Sequence, residues 1–165
     1  MERPTVLCRF GCILLDGLIL AVPVLTTQYV AGMLHFPPRA DSGVSLTMQV
    51  VVSAWTVALG LVYFGTLHGA LGKTLGKMAG KIKVVNFDGT PITMSKAYLR
   101  ALCYTGPSCL SPAVILFGSQ MCVKILGYVG GAYAVVSIIM AVADRNMQRA
   151  LHDRLAGTRV IAADD

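Results

Sequence analysis

A few polar side chains stand where this sequence otherwise runs apolar, and any chemistry it performs must start from them. Arg9 and Asp16 fall in "RFGCILLDGLIL", Tyr63 and His68 in "VYFGTLHG", and Arg100 in "AYLRA". Asp144 closes the last apolar run, and Asp153 follows it in "DRNMQRALHDRLAG". Seven residues separate Arg9 from Asp16, about 10 Å along a helix and nearly two turns, so both project from one face. A charge deep in lipid costs a few kcal/mol even by insertion scales. Arg9 can extend to the interface, but Asp16 must face other helices. The expected arrangement is a charge-balanced network of Arg9, Asp16, Arg100 and Asp144, with Tyr63 and His68 at the same depth. It has two readings. The network locks the helices together, or a raised pKa lets Asp16 bind a proton or monovalent cation, with His68 as relay.

No catalytic constellation competes with that site. G-x-S-x-G and H-E-x-x-H are absent, and Gly72-Lys73-Thr74 lacks the earlier glycine of a phosphate loop, because Leu67 stands there. The five cysteines, Cys8, Cys12, Cys103, Cys109 and Cys122, contain no C-x-x-C pair, so they read as small apolar residues. No enzyme activity, cofactor or metal site is expected.

The elements that must position these residues follow from composition. Of 165 residues, 55% are hydrophobic and only 13% charged, half the share of a soluble domain. The mean hydropathy is +0.68. A small soluble protein could not cover its surface with so few polar groups, which makes lipid the solvent. Charge-free stretches run from Asp16 to Arg39, Asp41 to Lys73, Arg100 to Lys124 and Lys124 to Asp144. They predict four spans at about 9–32, 48–70, 98–118 and 124–143, the first too long and too charged for a cleaved signal. Pro107 and Pro112 predict a kink or break in the third between Thr105 and Pro112, since each removes an N–H and crowds the carbonyl four residues back. Gly127 and Gly131, at G-x-x-x-G spacing, are read as close packing inside the bundle, with dimerisation as the other use.

Twelve of the fourteen basic residues fall before the first span, between the second and third, or after the fourth. Only Arg39 and Lys124 fall in the other two loops. The positive-inside rule then puts both termini and the 71–97 loop in the cytoplasm. The net charge of +6 would lie against anionic headgroups rather than nucleic acid, for no basic stripe with interleaved aromatics exists. Within the loop, "GKTLGKMAG" suits a short interfacial helix, and "KIKVVNFDGTPIT" a strand, an Asp88-Gly89 turn and a second short strand. "GTRVI" near the end supplies a further strand to pair with "IKVV", with Gly157 ending a short helix and Leu151 and Leu155 burying against the loop. The fold class is thus an all-α membrane protein, one domain over 1–165, with a four-helix bundle and a small β element made by the loop and the 144–165 tail.

The ordered set of these segments resembles the RDD membrane proteins, named for one arginine and two aspartates, over nearly the whole chain. Arg9 matches the arginine that opens the first helix and Asp16 the aspartate within it. The second aspartate matches Asp144 or Asp153. The loop motif corresponds to Gly72, Thr74, Gly76 and Lys77, and the tail motif to Gly157 and Thr158. Two departures stand out: Lys73 replaces a polar residue, and the third span is rich in Pro and Gly. The resemblance implies no enzyme chemistry. It implies transport of an unsettled ligand, in some relatives resembling cation/proton antiport, or a membrane module attached to partner assemblies. The residues leave the same two readings: an ion- or proton-coupled transporter or channel, working as a homodimer because four spans are few for a complete path, or a non-transporting module that assembles with a partner membrane protein. The expected location is a bacterial inner membrane, with the bilayer and a proton or monovalent cation as the other partners.

Overall fold

The structure, a computed structural model, describes residues 4–33, 46–144 and 147–163. Arg3, Arg39, Asp41 and Arg145, used above to read topology, lie outside the described residues.

Three long helices form where the charge-free runs predict them. They are α1 (Val6–Met33), α2 (Leu46–Leu71) and α6 (Gln120–Ala143), of 28, 26 and 24 residues. All three are long and apolar enough to cross a membrane. Lys124 lies within α6 rather than in a loop before it, because Ser119 starts that helix by accepting from the Cys122 N–H.

The third predicted span is a composite. It is built from α4 (Met94–Thr105), a 3-10 turn (Gly106–Leu110) and α5 (Ser111–Phe117), and α4 and α5 both pack along α2. Among the described residues, three unbroken apolar rods replace the four expected. The prolines explain the interruption: Pro107 opens the 3-10 turn and Pro112 opens α5, positions where a missing N–H costs nothing. Gly106 makes the bend at φ +55°, a region that favours glycine. Both carbonyls that the prolines strand find donors. The Tyr133 hydroxyl of α6 donates to the Cys103 carbonyl, and the Ser111 N–H to that of Ser108. This is what an interrupted helix needs in lipid.

A compact cap sits at one end of the bundle. After Gly72 turns the chain at φ +66° come α3 (Leu75–Ala79) and β1 (Ile82–Asn86); the tail adds α7 (Leu151–Leu155) and β2 (Thr158–Ala162). The two strands pair antiparallel, with Val84 opposite Val160. The tail strand thus docks as expected. The expected second strand of the loop hairpin shrinks to one bridge, Val85 to Pro91, since Pro91 has no N–H to extend a ladder. The buried core lies here as well: Cys12, Ile82, Val84, Ile92, Ala97 and Val160 cluster together. The long helices instead turn most of their apolar side chains outward, as a lipid solvent requires.

Two packing expectations are corrected. Leu155 is 58% exposed, while His152 and Asp153 of the same short helix are buried. Polar partners rather than leucines therefore set its rotation. In α6, a methyl group added at Gly127 or Gly131 would meet nothing within 4 Å. Their stripe faces out of the bundle among the described residues, and it is Gly130 that approaches Ser108.

Candidate functional site

Asp16 is 1% exposed and has its oxygens filled by donors from two other parts of the chain. The Tyr63 hydroxyl of α2 donates to Oδ1 at 2.7 Å, the Gly76 N–H to the same oxygen at 2.8 Å, and the Thr74 hydroxyl to Oδ2 at 2.6 Å. Lys77 Nζ lies 4.0 Å from Oδ2. The loop motif makes this geometry. Thr74 caps α3, its hydroxyl oxygen accepting from the Lys77 N–H while donating to Asp16. Gly76 passes so close to α1 that a Cβ there would collide with the Cys12 carbonyl and lie 2.9 Å from Asp16 Oδ1. The helix N-terminus adds its own preference for a negative charge.

A second cluster joins α2, α4 and α7. Arg100, buried in α4, donates through Nε at 3.0 Å and Nη2 at 2.5 Å to Asp153 Oδ1. Its Nη1 lies 3.2 Å from His68 Nε2. Guanidinium has no acceptor, so His68 takes this bond on a lone pair and is neutral, with its proton on Nδ1. His152 Nε2 lies 3.6 Å from Asp153 Oδ1, and its ring meets Tyr104, which meets Phe64. Asp153 also accepts from the Ala150 N–H at the start of α7.

The single network expected from sequence therefore divides. Asp16 and Tyr63 belong to the first cluster, Arg100 and His68 to the second. Asp153 takes the place foreseen for Asp144. Asp144 ends α6, pairs with Arg149 and Arg154 at 3.3 Å each, and accepts the Met147 N–H. Arg9 meets no carboxylate among the described residues. It donates instead to the carbonyls of Gln148 at 2.6 Å and Val160 at 3.0 Å, fastening α1 to the tail. Gly157, at φ +63°, releases α7 into β2, and the buried Thr158 hydroxyl donates to the Asp153 carbonyl. Sequence reasoning missed His152 and Tyr133. His152 carried one signal, its place beside Asp153, whereas Tyr133 was one tyrosine in an apolar run.

The electrostatics of the cap set a pH dependence. Burial would raise the Asp153 carboxyl, but Arg100 and His152 outweigh it and hold it at about 2. Burial, opposed by Asp153, pushes His152 down to about 4, and burial lowers Lys77 to about 8. His152 is neutral when folded at a pH where the unfolded chain would be protonated. Its share of stability is therefore complete above pH 6.5 and is lost as pH falls toward 4. The shift corresponds to about 3 kcal/mol. Thermal unfolding in detergent should show Tm falling across that window, and His152→Gln should flatten the fall. An unchanged slope in the variant would assign the acid sensitivity elsewhere.

Two cavities flank the interrupted helix. One, of about 370 Å³, opens among Arg9, His68, Lys77, Arg100, His152 and Asp153. The other, of about 850 Å³, lies farther from the cap and is edged by Gln28, Gln49, Ser53, Thr56 and Ser111. Tyr104, Thr105 and Ser108 line both.

The model of the RDD family matches residues 3–157. The chain belongs to the RDD family. This RDD protein, with three apolar helices long enough to span, is a membrane protein. Uncharacterized protein YckC of Bacillus subtilis strain 168 is 27% identical to it over 155 residues, covering 94% of this chain and 82% of YckC. No solved structure matches the chain. The motif residues that suggested the RDD family, Arg9, Asp16, Gly72, Thr74, Gly76, Lys77, Gly157 and Thr158, all fall at or beside the cap.

Proposed function

We propose that this RDD protein is a small transporter whose path runs along the interrupted third segment. The supporting observation is that Tyr104, Thr105 and Ser108, at the break, line both cavities. Broken helices at mid-membrane are a recurrent way to build a substrate site, because irregular backbone is tolerated where it faces a cavity. The interrupted segment serves as the fourth crossing. Both termini and the 71–97 loop then lie in the cytoplasm of a bacterial inner membrane, and the Asp16 and Arg100 clusters close the cytoplasmic end. Arg9, Lys77 and Arg100 disfavour a bound metal cation in the inner cavity, and a proton is the coupling ion in this reading. A second copy of this chain completes the path.

The non-transporting module is the second reading, and one observation favours it: Asp16 has a full set of partners, as a purely structural lock would.

Cysteine accessibility separates the two. With the five native cysteines replaced, Ser108→Cys in sealed proteoliposomes should react with an impermeant thiol reagent from both faces, and Lys81→Cys from the cytoplasmic face alone. Protection of Ser108→Cys from both sides would defeat the transport path. Labelling of Lys81→Cys from outside would reverse the topology.

A further inference from the structure

The inner cavity combines an unbalanced charge with apolar walls. Three cationic side chains line it, Arg9, Lys77 and Arg100, against one carboxylate, Asp153. Two of the cations have anionic neighbours: Arg100 is paired with Asp153, and Lys77 lies 4.0 Å from Asp16. Among the described residues Arg9 bonds only to carbonyls, and its buried Nε has no hydrogen-bond partner. A half-buried guanidinium with an unpartnered Nε gains from an anion that joins it. The apolar part of the lining includes Phe10, Ile13, Tyr133 and Ile138. Gln148 lines the same space, and its Oε1 is buried with no donor among the described residues.

We infer that this cavity binds an amphiphilic anion, a phosphate monoester on an apolar chain, with Arg9 as the head-group contact. A guanidinium grips phosphate through parallel N–H donors. A phosphate monoester, whose second pKa is about 6, offers several oxygens to Arg9 and, in the singly protonated form that grows as pH falls through that value, a hydroxyl to Gln148 Oε1. A carboxylate offers only acceptors at neutral pH, and an alkylammonium offers no acceptor at all. The apolar chain lies along Ile13 and Ile138. The volume of about 370 Å³ is within the range of small-ligand sites. The inference rests on the transport reading for the ligand's role as substrate, but not for the existence of the site.

The test uses the full chain purified in a neutral maltoside detergent, titrated calorimetrically with n-dodecyl phosphate. Saturable binding is expected, with a rise in Tm, and at least a tenfold loss of affinity in Arg9→Gln. Because Arg9 also fastens the tail, Ile138→Trp is the companion variant. It fills the apolar wall, keeps the Arg9 bonds, and should abolish binding while melting near the parent. Inorganic phosphate and dodecyltrimethylammonium should not bind. Displacement of dodecyl phosphate by short-chain phosphatidic acid would assign the ligand to the bilayer, and failure to displace it would assign a soluble phosphate ester; either supports the site. No binding of dodecyl phosphate, or equal binding of the cationic analogue, overturns the inference. Binding with no flux of the phosphate in proteoliposomes overturns transport and leaves the site standing.

Discussion

Asp16→Ala should strip this protein of most of its folded yield. The change strands three donors in one step: the Tyr63 hydroxyl, the Thr74 hydroxyl and the Gly76 N–H. Each buried donor left without an acceptor costs about 1–3 kcal/mol, and Lys77 loses the carboxylate nearest to it. The total is on the order of 3–5 kcal/mol, the usual loss when one partner of a buried charged pair is removed. Asp16→Asn should fall between this variant and the parent. Its amide oxygen still accepts, and either hydroxyl can turn to accept from its NH2. The measurement is thermal unfolding of purified protein, followed by flux per folded molecule. A melt of Asp16→Ala that matches the parent would remove the lock. A stable Asp16→Asn with no proton-linked flux would instead give Asp16 a titrating role.

Arg100→Ala should be nearly as damaging. Asp153 would keep a buried charge with only the Ala150 N–H and His152 near it. His68 Nε2 would lose the donor that fixes its tautomer. A loss of about 3–5 kcal/mol is expected. Arg100→Lys should rescue only part of it, because an ammonium cannot reach Asp153 and His68 with the same planar fork. Much of the loss comes from stranding the partner. Arg100→Met with Asp153→Asn should therefore melt well above the sum of the two single losses. Additive effects in that cycle would show that the two side chains do not act as a pair.

The rods, the break and the buried carboxylate were legible in the sequence because each follows from a local cost. Charge-free length gave α1, α2 and α6. Pro107 and Pro112 gave the interruption, since neither can continue a helix without penalty. Asp16 had to find partners because an unpaired carboxylate is excluded from lipid. Which partners it found was not legible. The Gly76 N–H is backbone and leaves no mark in residue type, and it reaches Asp16 only because α3 folds back onto α1. The choice between Asp144 and Asp153 failed for a related reason. Both stand in one polar segment, and what separates them is the rotation of a five-residue helix that buries His152 and Asp153 and exposes Leu155. A helix that short has too few turns for its apolar spacing to reveal its buried face.

The bond from Arg9 to the Gln148 carbonyl joins residues 139 positions apart, and the bond to Val160 spans 151. A ribosome adding about 5–20 residues per second needs roughly 7–30 s to cover that distance. Throughout that interval the arginine of α1 lacks these acceptors. The fastening of α1 thus waits until Gln148 and Val160 have been made. A truncated product that lost the tail would carry all three apolar rods yet keep Arg9 unsatisfied. Such a product would present an open cap where the folded chain presents a closed one.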